Sequence, residues 1–252
     1  MLPGEAVIPL DEIEAVVFDV DGVVTDTTPV HAAAWKQTFD AFLRSRAGPG
    51  SAFRPFRLRE DYLEFVDGKA RLDGVRAFLT SRGISLPDDP PRPGDATPAS
   101  LGESKDRRFL EQLRRYGASA FPSTAALIRR LRRAGVATAA VSASRNCAAV
   151  LRAAGVEGLF DARVDGVEAG RLGLPGKPDP AVFLEAARRL GAPPERTAVL
   201  EDSLAGVEAA ARGGFGLVVG VDRGGQEAEL YRRGAHTVVA DPGDLEITGA
   251  YR

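Results

Sequence analysis

The sequence predicts an α/β fold in which a doubly wound parallel sheet is interrupted by an inserted group of helices. Short apolar runs rich in valine recur along the chain, and a helical pattern follows each of them. The runs are continuous rather than alternating, which is typical of parallel strands covered on both faces. From residue 27 to residue 136 no such run occurs and the pattern is helical. We therefore expect a helical module directly after the first strand.

The predicted helices of the sheet region have recognisable ends. Ser123 is the expected N-cap of a helix over residues 124–134, and Gly135 ends that helix. Pro180 opens a helix over residues 181–190, which Gly191 closes. The strands are expected at residues 15–18, 137–141, 160–164, 197–200 and 217–221.

The helical module divides the chain into a core and an insertion. We expect the core to comprise residues 1–28 and 117–252, and the insertion residues 29–116. Inside the insertion, the proline- and glycine-rich residues 86–102 are predicted to form a surface loop. Its helices are expected at residues 30–43, 61–66, 72–82 and 105–115.

Composition excludes several classes of partner and site. The 33 basic and 35 acidic residues nearly balance, so there is no overall positive charge to bind nucleic acid or an anionic membrane. No apolar run approaches the ~20 residues that span a bilayer, and we expect no signal peptide at the N-terminus. The single cysteine, Cys147, allows neither an intramolecular disulfide nor a thiolate metal cluster, and is expected to be buried and inert. We expect a cytoplasmic protein that works as a monomer.

Two carboxylates directly follow the first predicted strand, in the stretch FDVDGVVTDT (18–27). Asp19 and Asp21 are two residues apart, so in an extended chain they lie on the same side. Like charges placed so closely repel each other unless they are solvated or share a cation. The pair therefore points to chemistry at the end of the strand.

Other strand ends of the predicted sheet also carry polar groups. Ser142 follows the second strand, Lys177 precedes a helix, and Glu201 and Asp202 end the fourth strand. Ligands of open parallel sheets bind outside these carboxyl ends. A cluster of carboxylates favours a hard divalent ion, and Mg²⁺ is the natural one. Lys177 and Ser142 supply the donors that a phosphate group needs.

These residue types suggest phosphoryl transfer through the first aspartate. Asp19 is placed to attack phosphorus as a carboxylate nucleophile, and Asp21 to exchange a proton with the leaving or accepting oxygen. Gly22 allows a sharp turn after the pair, with backbone N–H groups left free for phosphate oxygens. Glu201 and Asp202 would hold the metal together with Asp19.

At these positions the chain resembles the haloacid dehalogenase superfamily. Its four motifs are present in order, as DVDGV (19–23), SAS (142–144), KPDP (177–180) and EDS (201–203). The resemblance implies a Rossmann-like core, Mg²⁺, and a metal contact from the backbone carbonyl of Asp21. It also implies that the inserted helices form a cap domain over the site. Members that transfer phosphate keep the second aspartate, which is present here.

The chain is more specifically similar to the β-phosphoglucomutase subfamily, on the segment TDTTPVHAAAWK (25–36) and the segment VDGKARLDG (66–74). That resemblance implies that Thr27 and His31 couple cap closure to Asp21. Asp67 stands where the subfamily often has lysine. The resemblance assigns phosphate or substrate binding to Arg71, Lys105, Ser142, Ala143 and Asn146.

Three functions remain open on the sequence. The first is interconversion of β-glucose 1-phosphate and glucose 6-phosphate through β-glucose 1,6-bisphosphate. The second is hydrolysis of a small phosphorylated sugar, and the third is non-catalytic binding of a phosphosugar. The side chains of the insertion also have simpler interpretations, since Arg71 and Lys105 could be solvated helix residues and His31 could pack beside Trp35.

Overall fold

The computed structural model describes residues 6–47, 53–90 and 92–250. Its main sheet has six parallel strands, and a separate parallel pair joins the two ends of the described chain. The strands are β1 (Val7–Pro9), β2 (Ala15–Asp19), β3 (Ala137–Val141), β4 (Ala162–Val164), β5 (Thr197–Glu201), β6 (Leu217–Val221), β7 (Thr237–Val239) and β8 (Glu246–Thr248).

The main sheet has the order β4-β3-β2-β5-β6-β7, so the chain winds outward from β2 in both directions. This confirms the predicted doubly wound α/β fold. The strand order reverses between β2 and β5, which is where such sheets bind ligands. All five predicted strands are present, although β4 begins at Ala162 rather than at residue 160. Strands β1, β7 and β8 were not predicted, because each has three residues and so short a strand carries little pattern.

Helices cover both faces of the main sheet and form the insertion. A single π-helical turn spans Tyr62–Val66, and 3₁₀ turns span Glu157–Leu159, Pro194–Arg196 and Pro242–Asp244. The α-helices are α1 (Thr28–Arg46), α2 (Arg71–Ser81), α3 (Pro98–Tyr116), α4 (Pro122–Arg133), α5 (Cys147–Ala153), α6 (Gly166–Leu172), α7 (Ala181–Leu190), α8 (Leu204–Arg212) and α9 (Glu227–Arg232).

Three predicted helix starts were placed too late, and a proline lies at each of them. Helix α1 begins at Thr28, directly before Pro29, rather than at residue 30. Helix α4 begins at Pro122 after Phe121, so Ser123 lies inside its first turn and is not the N-cap. Helix α3 begins at Pro98, with Thr97 and Ser100 forming a capping box, so the loop predicted over 86–102 ends at Thr97. The fixed φ of proline suits the first helical position, where its missing N–H is not needed.

The continuous apolar strands are explained by packing on both faces of the sheet. Val16 and Phe18 of β2 point into one buried cluster with α4 and α5, whereas Val17 points into another with α7 and α8. Cys147 is buried in the first of these clusters, and burial raises the pKa of its thiol well above the ordinary value. The expected inert cysteine is therefore found.

The inserted helices have an apolar cluster of their own. It is built on aromatic rings, with the Phe39 and Phe78 centroids 4.2 Å apart and Trp35 stacked on Phe39 at 5.1 Å. Phe109 and Leu113 of α3 pack instead into the core cluster. The insertion thus has its own centre and a small apolar contact with the core. Among the described helices, none has the length and apolar character needed to cross a bilayer.

Candidate active site

The strand ends predicted to carry chemistry meet under the inserted helices. A cavity of about 60 Å³ lies there, lined from below by the ends of β2, β3 and β5 and from above by α1, α2 and α3. Its walls contain most of the predicted site residues from both parts of the chain. The predicted members that line it are Asp19, Asp21, His31, Arg71, Lys105, Ala143, Glu201 and Asp202.

A buried lysine connects two of the carboxylates. Lys177 Nζ lies 2.5 Å from Asp19 Oδ1 and 2.6 Å from Glu201 Oε2. Burial by itself would lower the pKa of Lys177, but the charges of Asp19 and Glu201 raise it above the ordinary value. The lysine therefore stays protonated and orients the Asp19 carboxylate.

The side chains of Asp19, Glu201 and Asp202 form a compact acidic cluster. One carboxylate oxygen from each lies within 4.8 Å of the others. Burial and the neighbouring Glu201 raise the pKa of Asp19, and burial followed by Asp67 and Glu201 raises that of Asp202. A divalent cation would relieve this repulsion, and an all-oxygen donor set suits Mg²⁺. The cluster therefore fits the predicted metal.

Glu201 is the most firmly anchored member of the acidic cluster. Its Oε1 accepts hydrogen bonds from Ser203 N at 2.9 Å and Ser203 Oγ at 2.7 Å. A Cβ atom at residue 206 would lie 2.1 Å from the Glu201 carboxylate, so Gly206 provides the space for it. These contacts fix the loop that carries Asp202.

Gly22 serves the site differently from the prediction. Its N–H donates to the Thr25 carbonyl at 2.8 Å, so the N–H of Gly22 itself is not among those left free for phosphate, although the predicted sharp turn is present. The residue has φ of +97°, and a Cβ atom there would lie 1.8 Å from Asp202 Oδ2. Glycine is required because of both the turn and the approach of the Asp202 carboxylate.

Asp21 lies within a set of donors separate from those of Asp19. Thr27 Oγ1 donates to its Oδ1 at 2.5 Å, Ser142 Oγ donates to its Oδ2 at 2.9 Å, and His31 Nε2 lies 3.3 Å from Oδ1. Burial alone would raise the pKa of Asp21, but His31, Thr27 and Ser142 together bring it below the ordinary value. Asp21 is therefore held as an ionised carboxylate by these donors.

Lys105 is buried and contacts His31. Its Nζ lies 2.8 Å from His31 Nδ1 and 4.7 Å from the ring centroid of Phe109. Burial lowers the pKa of Lys105 to about 8, and burial together with Lys105 lowers that of His31. Lys105 is thus not a solvated helix residue. It begins a chain of contacts from α3 through His31 to Asp21.

Arg71 and Asn146 both donate hydrogen bonds to Asp106, which was not predicted from the sequence. Arg71 Nη1 donates to Asp106 Oδ2, and Asn146 Nδ2 donates to Asp106 Oδ1 at 3.0 Å. Asp106 stands in an ordinary charged helix segment, SKDRR, and nothing in that pattern separates it from a solvated residue. Only the packing of α3 over the core loop brings it to the cavity.

Other cavity residues were also missed. Tyr62 and Arg145 line the cavity and belong to no residue pattern that by itself indicates binding, whereas Ser144 ends the SAS motif without having been assigned to the site. Asp67 faces the acidic cluster from the insertion, and burial raises its pKa to about 7. Asp67 stands at a position where the resemblance to the subfamily implies a lysine. This chain thus has an acidic group in that wall of the cavity.

Comparisons with known proteins agree with this geometry. The family model described as haloacid dehalogenase-like hydrolase matches residues 13–214. β-Phosphoglucomutase from Mycobacterium tuberculosis is 44% identical over 241 residues, covering 93% of this chain and 92% of that protein.

Solved structures share the whole architecture. A hydrolase from Pseudomonas syringae has a TM-score of 0.75 at 24% identity, covering 92% of this chain and 95% of the other. CbbY from Rhodobacter sphaeroides, solved in complex with xylulose-(1,5)bisphosphate, has a TM-score of 0.70 at 27% identity, covering 93% and 97%. The family match over most of the chain and the 44% identical relative establish that this protein belongs to the haloacid dehalogenase-like hydrolase family, among its β-phosphoglucomutase-like members.

Proposed function

We propose that the protein is a Mg²⁺-dependent phosphotransferase that interconverts β-glucose 1-phosphate and glucose 6-phosphate through β-glucose 1,6-bisphosphate. The observation that carries this proposal is the division of labour between two neighbouring carboxylates. Asp19 is oriented by Lys177, whereas Asp21 is held by Thr27, Ser142 and His31. The 44% identity to a β-phosphoglucomutase supports the choice of sugar.

The residues of this chain can perform both halves of such a cycle. Starting from phosphorylated Asp19, Asp21 accepts the proton of a sugar hydroxyl as its oxygen bonds to phosphorus and the bond to Asp19 breaks. After the bisphosphate has turned round, Asp19 attacks the other phosphate and Asp21 returns the proton to the leaving oxygen. Lys177 and the Ser142 hydroxyl supply donors beside the reacting group.

The metal site fits this assignment. The carboxylates of Asp19, Glu201 and Asp202 and the backbone carbonyl of Asp21 would hold Mg²⁺, which supplies positive charge beside the transferring phosphoryl group when bound. Lys177 donates to one carboxylate oxygen of Asp19 and to one of Glu201. The lysine therefore orients these two carboxylates around the space that a cation would enter.

A mutase must keep water away from the aspartyl phosphate, whereas a phosphatase must admit it. The cavity is covered by the insertion, which contributes the cations Arg71 and Lys105. Positioning by such groups can give a bound hydroxyl an effective molarity of ~10⁵ M or more, well above that of bulk water. Closure that depends on a second phosphate would also tie the reaction to the correct substrate.

The second candidate is a phosphatase that acts on a small phosphorylated sugar. The family that matches the chain is described as a hydrolase family, and hydrolysis needs the same Asp19 and Asp21. Both activities can be followed together by phosphorus NMR of β-glucose 1-phosphate with enzyme, Mg²⁺ and a trace of bisphosphate. Glucose 6-phosphate is the expected product. Inorganic phosphate alone would establish the phosphatase, and no change would leave only a binding protein.

We also propose a cytoplasmic location and a monomer. The single cysteine is buried inside the core and takes part in no disulfide among the described residues, which suits a reducing compartment. The site is built wholly from one chain, so a monomer has all the groups that the reaction needs. Light scattering of the purified protein tests the monomer.

A further inference from the structure

Asp106 holds two side chains that belong to different parts of the molecule. Its Oδ2 accepts from Arg71 on α2 of the insertion, and its Oδ1 accepts from Asn146 on the core loop after β3 at 3.0 Å. One carboxylate thus connects the insertion to the core across the wall of the cavity. The side chains of Arg71 and Asp106 are only 19% and 24% exposed, so solvent weakens this connection only in part.

The guanidinium of Arg71 is left with unused donor capacity. Its Nε is buried and makes no hydrogen bond to any described residue. Gly102, one turn before Asp106 on α3, leaves room for it, because a Cβ atom at residue 102 would lie 3.2 Å from Arg71 Nε. An arginine fork binds a planar or tetrahedral anion best through two donors. The single contact with Asp106 therefore leaves donor capacity on Arg71 that an anion with more oxygens could use.

The resemblance to the β-phosphoglucomutase subfamily also assigns Arg71 and Asn146 to the binding of phosphate or substrate. A phosphate that reached Arg71 would meet the negative charge of Asp106 in the same cavity. Two anions close together in a partly buried site repel each other, so phosphate and Asp106 compete for the same donors.

We propose that Asp106 is an internal anion that occupies Arg71 and Asn146 in the ligand-free enzyme and is displaced by the second phosphate of the sugar bisphosphate. The inference rests on the proposed function, because it takes a bisphosphate as the ligand. Asp106 acts through other residues and is a positioning residue. Its effect is on specificity, since a ligand without a second phosphate cannot displace it.

The first test measures ligand affinity without turnover. In full-length Asp19→Asn protein with Mg²⁺, the added change Asp106→Asn removes the competing charge. We expect it to bind β-glucose 1,6-bisphosphate about 3- to 10-fold more tightly in titration calorimetry, as for loss of a partly exposed competing ion pair. Inorganic phosphate should show a smaller gain. In an Arg71→Ala background the gain should be smaller, because Asp106 then competes only for Asn146.

Asp88→Asn is the matched control for this change. Asp88 is another aspartate of the insertion, paired with Arg76 at 2.9 Å in an exposed position, and its loss alters the net charge equally. It should leave the affinity unchanged. The proposal would be overturned if Asp106→Asn bound the bisphosphate no more tightly than its parent. It would also be overturned if Asp88→Asn gave the same gain in affinity.

The second test does not depend on the substrate. In ligand-free protein, Asp106→Ala removes the contact with Asn146, so hydrogen exchange of peptides covering residues 142–146 should become faster. Asp88→Asn should not change it. Unchanged exchange in Asp106→Ala would show that the carboxylate does not connect the two parts. If the parent fails to bind the bisphosphate, the proposed function and the displacement both fall, while the exchange result still decides the connection.

Discussion

Lys177 and Lys105 are both buried lysines, yet their surroundings act on them in opposite directions. Lys177 lies between the carboxylates of Asp19 and Glu201, which raise its pKa above the ordinary value in spite of burial. Lys105 lies against His31 and the Phe109 ring, and burial lowers its pKa to about 8. One lysine is a fixed charge, and the other can lose its proton near neutral pH.

Lys105→Met should change how stability depends on pH. Between pH 8 and 10.5 the unfolded chain binds more protons at Lys105 than the folded protein does, so its contribution makes the free energy of unfolding rise with pH. The variant should lack this rise and should be more stable at pH 7, by about 3 kcal/mol, while phosphoryl transfer falls. Urea unfolding at pH 7, 8.5 and 9.5 measures the difference. If the free energy of unfolding changed with pH in the same way for the variant and its parent, the lowered pKa of Lys105 would be contradicted.

Asp19→Asn should abolish phosphoryl transfer while preserving the fold. The change removes the nucleophilic oxygen's charge but almost no volume, and Lys177 keeps Glu201 as a partner. We expect kcat to fall by about 10⁴-fold or more, as for other lost nucleophiles. Single-turnover phosphorus NMR measures phosphoryl transfer, and circular dichroism measures whether the fold is preserved. Retained turnover would show that another residue attacks phosphorus.

The junctions between elements are where this chain positions its chemistry. The junction of β5 and α8 is an example, since Ser203 donates to Glu201 and also caps α8 by accepting from Gly206 N at 3.0 Å. The same hydroxyl therefore orients a carboxylate and begins a helix. In the insertion, Thr97 and Ser100 form the reciprocal capping box that begins α3, the helix that carries Lys105 and Asp106.

Thr97→Ala should weaken the start of α3. Loss of an N-cap side chain costs about 1 kcal/mol of folding free energy. We expect that decrease in urea unfolding, together with faster hydrogen exchange in residues 97–101. Thr80→Ala is the control, because Thr80 is an exposed position on α2 where substitutions change stability by less than about 0.5 kcal/mol. If Thr97→Ala and Thr80→Ala lowered the free energy of unfolding equally, the capping box would make no particular contribution to stability.

At the scale of the whole molecule, the insertion and core approach closely at two glycines. A Cβ atom at residue 68 of the insertion would lie 2.1 Å from Ser203 Oγ, and one at residue 176 of the core would lie 2.9 Å from Ala70 Cβ. The contact at Gly68 lies in the wall of the catalytic cavity, and the contact at Gly176 lies in the wall of a neighbouring cavity. Closure of the insertion over the acidic cluster therefore depends on positions without side chains.

Gly68→Ala should prevent full closure. The added Cβ would meet Ser203, so the insertion must shift, and a misplacement of ~1 Å can reduce the rate about 10²-fold. We expect a lower rate of glucose 6-phosphate formation and a larger fraction of inorganic phosphate, both measured by phosphorus NMR.

Gly83→Ala is the matched control for backbone strain. Gly83 has φ of +65°, similar to +68° at Gly68, but nothing lies within 4 Å of the place its Cβ would take. Its effect should be on stability and not on the ratio of products. An equal change of that ratio in both variants would assign the effect to backbone strain instead of closure.

Much of the core and its chemistry followed from local sequence. Continuous valine-rich runs identify parallel strands because both faces of the sheet are covered. Asp19, Asp21, Ser142 and Asp202 follow from their places at strand ends, and Lys177 from its place before a helix. Helix starts at Pro98 and Pro122 were predicted less well, since proline gives a local signal both for a loop and for a first helical turn.

The α/β class, the helical segment after β2 and the residues of the acidic cluster could be predicted from local patterns, because strand and helix periodicity and strand-end residues are local properties of the chain. Tertiary packing set the contacts that helix α3 makes, namely Lys105 with His31 and Asp106 with both Arg71 and Asn146. Lys105 and His31 are 74 residues apart, and Asp106 and Asn146 are 40 apart. The physical reason is that contacts across such separations form only when the insertion packs on the sheet, and no local pattern records which charged helix residue then faces the cavity.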